Sequence, residues 1–295
     1  MRERIGKPSG ITFFKYLAIP TLFYIFTVIC PIFVGIYYST FNWNGGINKK
    51  FIGLQNYKSL LTNSEFWGSV LNNFEILFYC LIGQVLIALL VAVLLSSKYL
   101  RLRSAYRFII FLPCILSGVV VAFLWQIVYN ANYGLLNWAM RLLGLEGAIK
   151  LWLDDPKVVV ASIAIVLIWQ YMGMHIVIFL ASLQNISQEV LESAAIDGAN
   201  GLQRTFYIVM PLMKGTIRVV TLFCISGNMK IFEQIYNMTR GGPGTASSVM
   251  AVFAYKTSFE NMQMGYGSAA SVLILVISLA LVGVAQFILG RGEKQ

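Results

Sequence analysis

A short polar and aromatic stretch inside a long apolar run has side chains suited to a hydroxyl-rich ligand. Residues 169–174 read Trp-Gln-Tyr-Met-Gly-Met within the apolar run 158–183. Aromatic faces stack on the C–H surfaces of sugars, and amides exchange hydrogen bonds with hydroxyls in pairs. Trp169, Gln170 and Tyr171 supply those groups, whereas the alternative is a packed aromatic cluster with no ligand.

A second group of polar residues interrupts the apolar run 216–236, in which Ser226, Asn228, Lys230 and Glu233 stand out. A charge at the centre of a bilayer costs about 2.5–3.5 kcal/mol on insertion scales, so it usually faces a cavity or a partner. At about 100° per residue, Ser226, Lys230, Glu233 and Asn237 share one face of a continuous helix. Lys230 and Glu233 would then pair at i, i+3. The alternative is that these groups only bind one helix to another.

The residue types argue against catalysis by this chain. The P-loop pattern of nucleotide-binding proteins is absent from the sequence. His175 is the only histidine, and the four cysteines all lie in apolar runs without metal-ligand spacing. We therefore expect no catalytic residues, no metal site and no cofactor bound by the chain itself.

Composition indicates a membrane protein whose elements are long apolar helices. Apolar residues make up 58% of the 295 positions and charged residues only 12%, and the mean hydropathy is +0.73. A helix crosses the hydrocarbon core with about 20 apolar residues. The sequence predicts six spans, at residues 13–38, 73–95, 108–129, 158–183, 216–236 and 268–289. This is an all-α, polytopic fold with both termini on one side.

The net charge of +10 follows the predicted topology. Most Lys and Arg residues fall in the two tails, in residues 96–107 and in the segment 189–215, which lie on one side of the membrane. By the positive-inside rule this side is cytoplasmic. The basic segments lack interleaved aromatics, so nucleic acid is not expected as a partner.

The segment 189–215, which we call the elbow, is a long polar interruption between the apolar runs 158–183 and 217–236, and its composition suits docking on a partner. It reads EVLESAAIDGANGLQRTFYIVMPLMKG. A short helix over Glu192–Ile196 should end at Gly198 and Asn200, because Gly and Asn tolerate chain reversal. A second helix follows over residues 202–209, and Pro211 ends or kinks it.

The elbow resembles the EAA loop of binding-protein-dependent ABC transporter permeases. Glu192-Ser193-Ala194-Ala195 and Asp197-Gly198-Ala199 match the family pattern, as does Met210-Pro211. Ser193 and Met210 depart from the usual Ala and Leu. The resemblance implies a coupling helix that docks on a separate ATPase, carried by Glu192, Ser193, Ala194, Asp197, Gly198 and Pro211.

Two further segments resemble the carbohydrate class of these permeases, the subgroup similar to the maltose-transporter permeases. They are Phe51–Tyr57 and the turn Gly241-Gly242-Pro243. The resemblance implies that Trp169, Gln170, Tyr171 and Met174 line the substrate pathway. It also moves the lining of the fifth span to Gly227, Asn228 and Ile231, whereas polarity favours Lys230 and Glu233. Both faces remain open.

The resemblance implies a type I ABC importer permease in the cell membrane, with cytoplasmic termini. Four regions follow: a tail (1–15), a first span with its outer loop (16–70), a permease core carrying the elbow (71–290) and a second tail (291–295). Implied partners are a second, homologous permease, a dimeric ATPase that binds ATP and Mg²⁺, an extracellular solute-binding protein, a sugar and the lipid bilayer. The alternatives are another solute class, or an ion-coupled secondary transporter with Lys230 and Glu233 as its relay.

Overall fold

The computed structural model describes residues 10–96 and 103–290, and almost all regular structure in them is helical. The tail 291–295 and residues 1–9 lie outside this range. The apolar helices are Gly10–Tyr24 and Cys30–Ser39 joined by a π-helical turn, Ser64–Ser96 with a π-helical turn at Leu81–Ile87, Arg103–Ile115, Gly118–Val128, Val159–Leu183, Lys214–Asn228 and Met264–Gly290. Shorter helices are Gln55–Leu61, Leu135–Leu142, Gln188–Ile196, Gly201–Leu212, Glu233–Thr239 and Met250–Tyr255.

Four of the helices in the described residues are long and apolar enough to cross a membrane, and two bent pairs bring the number of spans to as many as six. The pairs are 104–115 with 118–128, bent by 102°, and 201–212 with 214–228, bent by 75°. The prediction of an all-α fold with about six spans is therefore confirmed in outline.

Several predicted boundaries were wrong. The first helix begins at Gly10 inside the expected tail, and the second span begins at Ser64, where the Asn63 side chain accepts a bond from the Phe66 N–H. The third span begins at Arg103 and breaks after Ile115. Pro113 removes one backbone donor from that helix, and the Ser117 side chain caps the next one.

The chain divides into two compact units. Unit 1, within residues 1–62 and 254–273, contains the one pair of β-strands in the described residues, a hairpin that pairs Phe41–Trp43 with Lys49–Phe51. Gly45 adopts a positive φ of 91° in its turn. The Asn56 side chain donates to the carbonyls of Ser39 and Phe41, which fixes the hairpin to the end of the first span.

Unit 2, within residues 63–253 and 274–295, holds the main apolar core. Its buried cluster joins the second span, the helix Val159–Leu183 and the second arm of the elbow, through Ala88, Leu89, Phe179, Leu180, Val209, Met213 and Val220. The elbow is therefore anchored to the core at its C-terminal end.

Helix Val159–Leu183 is the centre of unit 2. Gly173 lets the helix Arg103–Ile115 cross it closely, because a Cβ on Gly173 would overlap the carbonyl of Ile110. Gly83 makes a similar approach to Ile168 from the second span, where a Cβ would lie 2.6 Å from three side-chain atoms. Small residues at helix crossings are typical of membrane bundles, where lipid gives no hydrophobic drive between helices.

Candidate functional site

The first arm of the elbow is an exposed helix, Gln188–Ile196. Glu192, Ser193 and Asp197 are exposed, and the Gln188 amide donates to the Glu192 carboxylate at 3.0 Å. Ala194 is buried and turns inward. The arm therefore presents Glu189 and Glu192 to solvent, as does Asp197 just beyond it, while the small Ala194 side chain packs beneath it.

Gly198 reverses the chain between the two arms. Its φ is +81°, in the region that L-residues rarely adopt, and no atom lies within 4 Å of where a Cβ would stand. The next helix begins at Gly201 with a reciprocal cap: the Asn200 side chain accepts from the Gln203 N–H, and the Gln203 side chain accepts from the Asn200 N–H. The predicted helix, turn and helix are confirmed.

Pro211 lies near the end of the second arm, as predicted. The helix Gly201–Leu212 contains a π-helical turn at Thr205–Val209 and ends just after Pro211, where the chain bends by 75° into Lys214–Asn228. Pro211 is exposed, whereas Val209 and Met213 on either side of it are buried in the core cluster. The bend at the end of the elbow therefore lies next to a proline whose neighbours Val209 and Met213 are buried in the core.

Three amide and hydroxyl groups meet at the middle of unit 2. The Gln234 amide donates to the Gln170 carbonyl oxygen at 2.8 Å and to the Tyr171 hydroxyl at 3.0 Å. Gln170 in turn donates to the carbonyl of Leu116 at 3.1 Å, at the break in the third span. Gln170 and Gln234 are buried, and Tyr171 is half-buried. The network connects the break in the third span, the helix Val159–Leu183 and the helix that begins at Glu233. Gln170 and Tyr171 of the predicted polar stretch thus make bonds inside the subunit.

Aromatic rings border this network. Trp169 contacts Trp125 edge to face, with centroids 5.6 Å apart, and Trp125 lies 5.0 Å from Tyr129. The buried Nε1 of Trp125 has no hydrogen-bond partner among the described residues. Met174 is half-buried one turn further along the helix. Trp169 therefore contacts an aromatic cluster, and its place in a substrate pathway stays a prediction.

The fifth span is not continuous, and this corrects the predicted helical face. The helix ends at Asn228, a turn follows over Met229–Phe232, and a new helix begins at Glu233. The grouping of Ser226, Lys230, Glu233 and Asn237 on one face, with an i, i+3 pair inside one helix, is therefore wrong. Met229 and Ile231 are buried in the turn, so tertiary packing overrides the helical periodicity of the sequence.

The break separates the two sets of residues proposed for this span. Gly227, Lys230 and Glu233 are exposed. Asn228 is buried, and its side chain donates to the Cys224 carbonyl at 2.8 Å and to the Gln84 side-chain oxygen at 3.4 Å. Ile231 is also buried.

Asn228 belongs to a second internal network. Gln84 donates to the carbonyl of Leu167 at 2.9 Å. Asn73 donates to the carbonyl of Asn228 at 3.0 Å and accepts from the Met250 N–H at 2.8 Å. Four chain segments are thus held together by three buried amides, in agreement with the rule that buried polar groups are hydrogen-bonded.

Sequence reasoning missed two contacts of this region. Gln234 bonds to both Gln170 and Tyr171 in the first network. In the sequence it was visible only as one of several polar residues in the fifth span. Glu233 packs on the start of helix Gly118–Val128, where a Cβ on Gly118 would lie 2.6 Å from a Glu233 carboxylate oxygen. In the described residues no group of three His, Cys, Asp or Glu is arranged to hold a metal ion.

The apolar spans, the bent helices and the exposed elbow define a membrane permease fold, and comparisons with solved structures agree. The crystal structure of a bacterial ABC transporter involved in the import of the acidic polysaccharide alginate matches with a TM-score of 0.82, 21% identity and coverage of 95% of each chain. The family described as "Binding-protein-dependent transport system inner membrane component" matches residues 84–292. The chain belongs to this family, which confirms the resemblance given by the elbow.

Curated relatives cover from 79% to 99% of the chain. The probable ABC transporter permease protein YurN of Bacillus subtilis is 35% identical over 89% of this chain and 91% of its own. The multiple sugar-binding transport system permease protein MsmF of Streptococcus mutans is 30% identical over 99% and 98%. The trehalose/maltose transport system permease protein MalF of Thermococcus litoralis is 32% identical over 79% of each chain. The chain is thus an inner-membrane component of a transport system.

Proposed function

We propose that the chain is the transmembrane permease subunit of an ATP-driven importer for a sugar or oligosaccharide. The observation that carries this proposal is the alignment with MsmF over 99% of the chain, since the name of that relative specifies multiple sugars. MalF of Thermococcus litoralis is named for trehalose and maltose, and a third relative, AraP of Bacillus subtilis, for arabinooligosaccharides. The chain forms half of the translocation pathway and pairs with a second, homologous permease.

The elbow couples this subunit to a separate, dimeric ATPase that binds ATP and Mg²⁺. The exposed Glu192, Ser193 and Asp197 offer polar groups to a groove, while the buried Ala194 supports the arm from below. Gly198 and Pro211 set the direction of the two arms. An elbow that docks differently in two states of the ATPase would shift the permease between two conformations, because only differential affinity moves such an equilibrium.

The solute pathway runs along the exposed side of the break in the fifth span. Gly227, Lys230 and Glu233 are its accessible groups, and an unwound backbone is tolerated at membrane depth where it lines a cavity. Tyr171 and Trp169 border this side, with Met174 one turn further along. Asn228, Ile231 and Gln170 hold the shape of the pathway from within, because they are buried in this subunit.

The elbow and both termini face the cytoplasm, according to the distribution of Lys and Arg. The opposite side receives a solute-binding protein. Support for this partner comes from a fold relative with a TM-score of 0.80, whose structure is of an alginate ABC transporter in complex with a periplasmic protein bound to an alginate pentasaccharide. The tails, the first span with its loop, and the core from residue 71 to 290 serve as separate regions in this arrangement.

A second candidate function is ion-coupled transport. The exposed Lys230 and Glu233 lie beside a discontinuous helix, which is where many secondary transporters bind their ions. Such a transporter needs no ATPase and gives the elbow no docking role.

The deciding experiment is isolation of the tagged chain from its native membrane in mild detergent, followed by mass spectrometry and an ATPase assay. We expect a nucleotide-binding ATPase and a second permease to co-purify, with ATPase activity stimulated by a sugar-loaded binding protein. The control is a triple variant, Glu192→Ala, Asp197→Ala and Gly198→Val. It should no longer co-purify with the ATPase but should still co-purify with the second permease. A chain that purifies alone from wild-type membranes would instead favour ion coupling.

A further inference from the structure

A short helix opposite the elbow leaves an apolar face uncovered. Leu135–Leu142 follows the end of the bent third span at Val128 after six intervening residues. The chain re-enters the apolar helices at Val159, whose far end leads to the elbow. The short helix therefore lies beyond the ends of two spans, on the side of the molecule away from the elbow.

This helix is fixed in orientation by one buried amide. The Asn137 side chain donates to the carbonyl of Ala131 at 3.2 Å, at the end of the preceding turn. Its carbonyl oxygen accepts from the Trp152 Nε1 at 2.8 Å, and the Trp152 ring stacks at 6.0 Å on Tyr129 at the end of the span. The inward face of the helix is therefore set by Asn137, and the opposite face is turned out.

The outward face is apolar. Leu135, Trp138 and Leu142 are 60%, 55% and 67% exposed. At about 100° per residue they fall within an arc of about 60°, and Asn137 lies on the other side of the helix. Leu143 and Leu145 extend the exposed apolar surface beyond the end of the helix. Arg141 is exposed beside this face, and its guanidinium reaches the carbonyl of Asn132 at 3.5 Å.

The face continues an apolar surface of the span itself. Phe123 and Ile127 are exposed on helix Gly118–Val128, and the exposed Tyr133 lies between that helix and Leu135. Gly134 makes the connection tight, because a Cβ there would lie 2.6 Å from the carbonyl oxygen of Val128. The short helix thus begins directly against the last turn of an apolar helix that counts as half of a bent span.

We propose that residues 135–145 form an interfacial helix that lies on the phospholipid bilayer. Leu135, Trp138 and Leu142 enter the boundary between headgroups and acyl chains, and Arg141 reaches the phosphate layer. Amphipathic helices with Trp and Leu on one side and a basic residue at the flank bind membranes in this way. A protein partner fits less well, because ordinary non-obligate interfaces are about as polar as the rest of a protein surface. The inference does not depend on the transported solute.

The test uses an environment-sensitive fluorophore on the full chain, purified with its accompanying subunits and placed in phospholipid nanodiscs. Leu142→Cys carries the label, and Asp154→Cys is the matched control, because Asp154 is exposed in the same loop. Both are made in a Cys30→Ser background, since Cys30 is an exposed native thiol. The label is quenched either by brominated acyl chains or by iodide in the water, and the labelled background without a new cysteine is subtracted.

We expect the label at residue 142 to emit at shorter wavelength and to be quenched by brominated lipid several-fold more than the label at residue 154. Iodide should give the opposite order. Equal quenching at the two positions by both reagents would overturn the proposal. A label at residue 142 that is shielded from both quenchers, or shielded only after a solute-binding protein is added, would assign this face to a protein contact and also overturn it.

Discussion

Gln234 illustrates that a polar residue at membrane depth need not contact solute. Both of its side-chain hydrogen bonds go to Gln170 and Tyr171, and all three groups come from different positions on two helices. Gln84 and Asn73 behave in the same way in the second network. In hydrocarbon there is no water to satisfy these groups, so they hold the subunit together by satisfying one another.

Gln234→Ala should lower the stability of the subunit. The substitution leaves the Gln170 oxygen buried without its donor, which costs about 1–3 kcal/mol. Thermal unfolding of the purified complex should show a fall in Tm of several degrees. Gln184→Ala is the matched control, because Gln184 is an exposed glutamine just after the same helix as Gln170, and its Tm should stay unchanged. Equal Tm values for the two variants would contradict the structural role of Gln234.

Glu233→Gln should affect transport more than stability. Glu233 is exposed beside the break, and a hydrogen bond between a charged group and a ligand contributes about 1.5–3 kcal/mol. We expect KM for uptake to rise by about tenfold or more, with little change in Tm. The control is Glu65→Gln, an exposed glutamate in the first turn of the second span. Unchanged uptake by the Glu233 variant would remove this residue from the pathway.

Among the elements, the crossing of two spans at Gly173 has little tolerance for added volume. A Cβ there meets backbone atoms of Ile110 and Phe111, and backbone cannot move aside as a flexible side chain can. Gly227 is a glycine in another span with no atom within 4 Å of its missing Cβ. Gly173→Ala should therefore lower Tm and the yield of folded protein, whereas Gly227→Ala should preserve both. A stable Gly173 variant would mean that the two helices pack less closely than described.

The turn of the elbow depends on one left-handed residue. Gly198→Val forces a β-branched side chain into φ +81°, at a cost of about 1–3 kcal/mol, while Gly198→Asn keeps a residue that tolerates this region. We expect the Val variant to lose sugar uptake while the ATPase still hydrolyses ATP, and the Asn variant to retain most uptake. Normal coupling in the Val variant would exclude a role for the turn in transmission.

The elements differ in how far sequence could predict them. The elbow could be predicted because its Gly, Asn and Pro residues act locally on the backbone. The helix Val159–Leu183 could be predicted because it is almost uniformly apolar. The break at Met229–Phe232 was not readable, since no proline is present there and the residues beside it contact distant helices, as Gln234 does at Gln170. The 102° bend after Ile115 has the same origin: Pro113 indicates a kink, but the angle depends on packing.

For the site, Trp169 and Gln170 were selected because aromatic and amide groups suit a sugar, whereas Asn228 was selected from the family resemblance. In the structure Gln170 and Asn228 make internal hydrogen bonds, and their roles in a substrate pathway stay predictions. Side-chain direction decides between a pathway role and an internal one, and it depends on which helices are neighbours. A single sequence does not contain that information for helices of nearly uniform hydropathy.

The whole molecule leaves much apolar surface uncovered. No residue of the best apolar window in Tyr16–Ser39 or Met264–Gly290 is buried, whereas 56% of the window in Val159–Leu183 is. In a bilayer this surface is covered by lipid, and the proposed second permease would replace part of that lipid.

At this scale, the source of energy is the main prediction. In proteoliposomes that contain the co-purified complex, uptake of a labelled sugar should require enclosed ATP on the elbow side. A protonophore should leave the initial rate of uptake unchanged. In an ATP-driven importer Lys230 and Glu233 contact the solute and carry no coupled ion, so uptake does not depend on an ion gradient. Uptake that persists without ATP and stops with the protonophore would instead support the ion-coupled transporter.

The internal network of Asn73, Gln84 and Asn228 has a consequence for how such subunits diversify. The groups that fix the shape of the fifth span point into the subunit, and those on the outer side of the break are attached to no internal bond network in the described residues. If the proposed solute pathway is correct, substitutions at Gly227, Lys230 or Glu233 should change solute preference with little loss of folding. Related permeases could therefore acquire different solute preferences by single substitutions at these exposed positions, while the buried network keeps the fold unchanged.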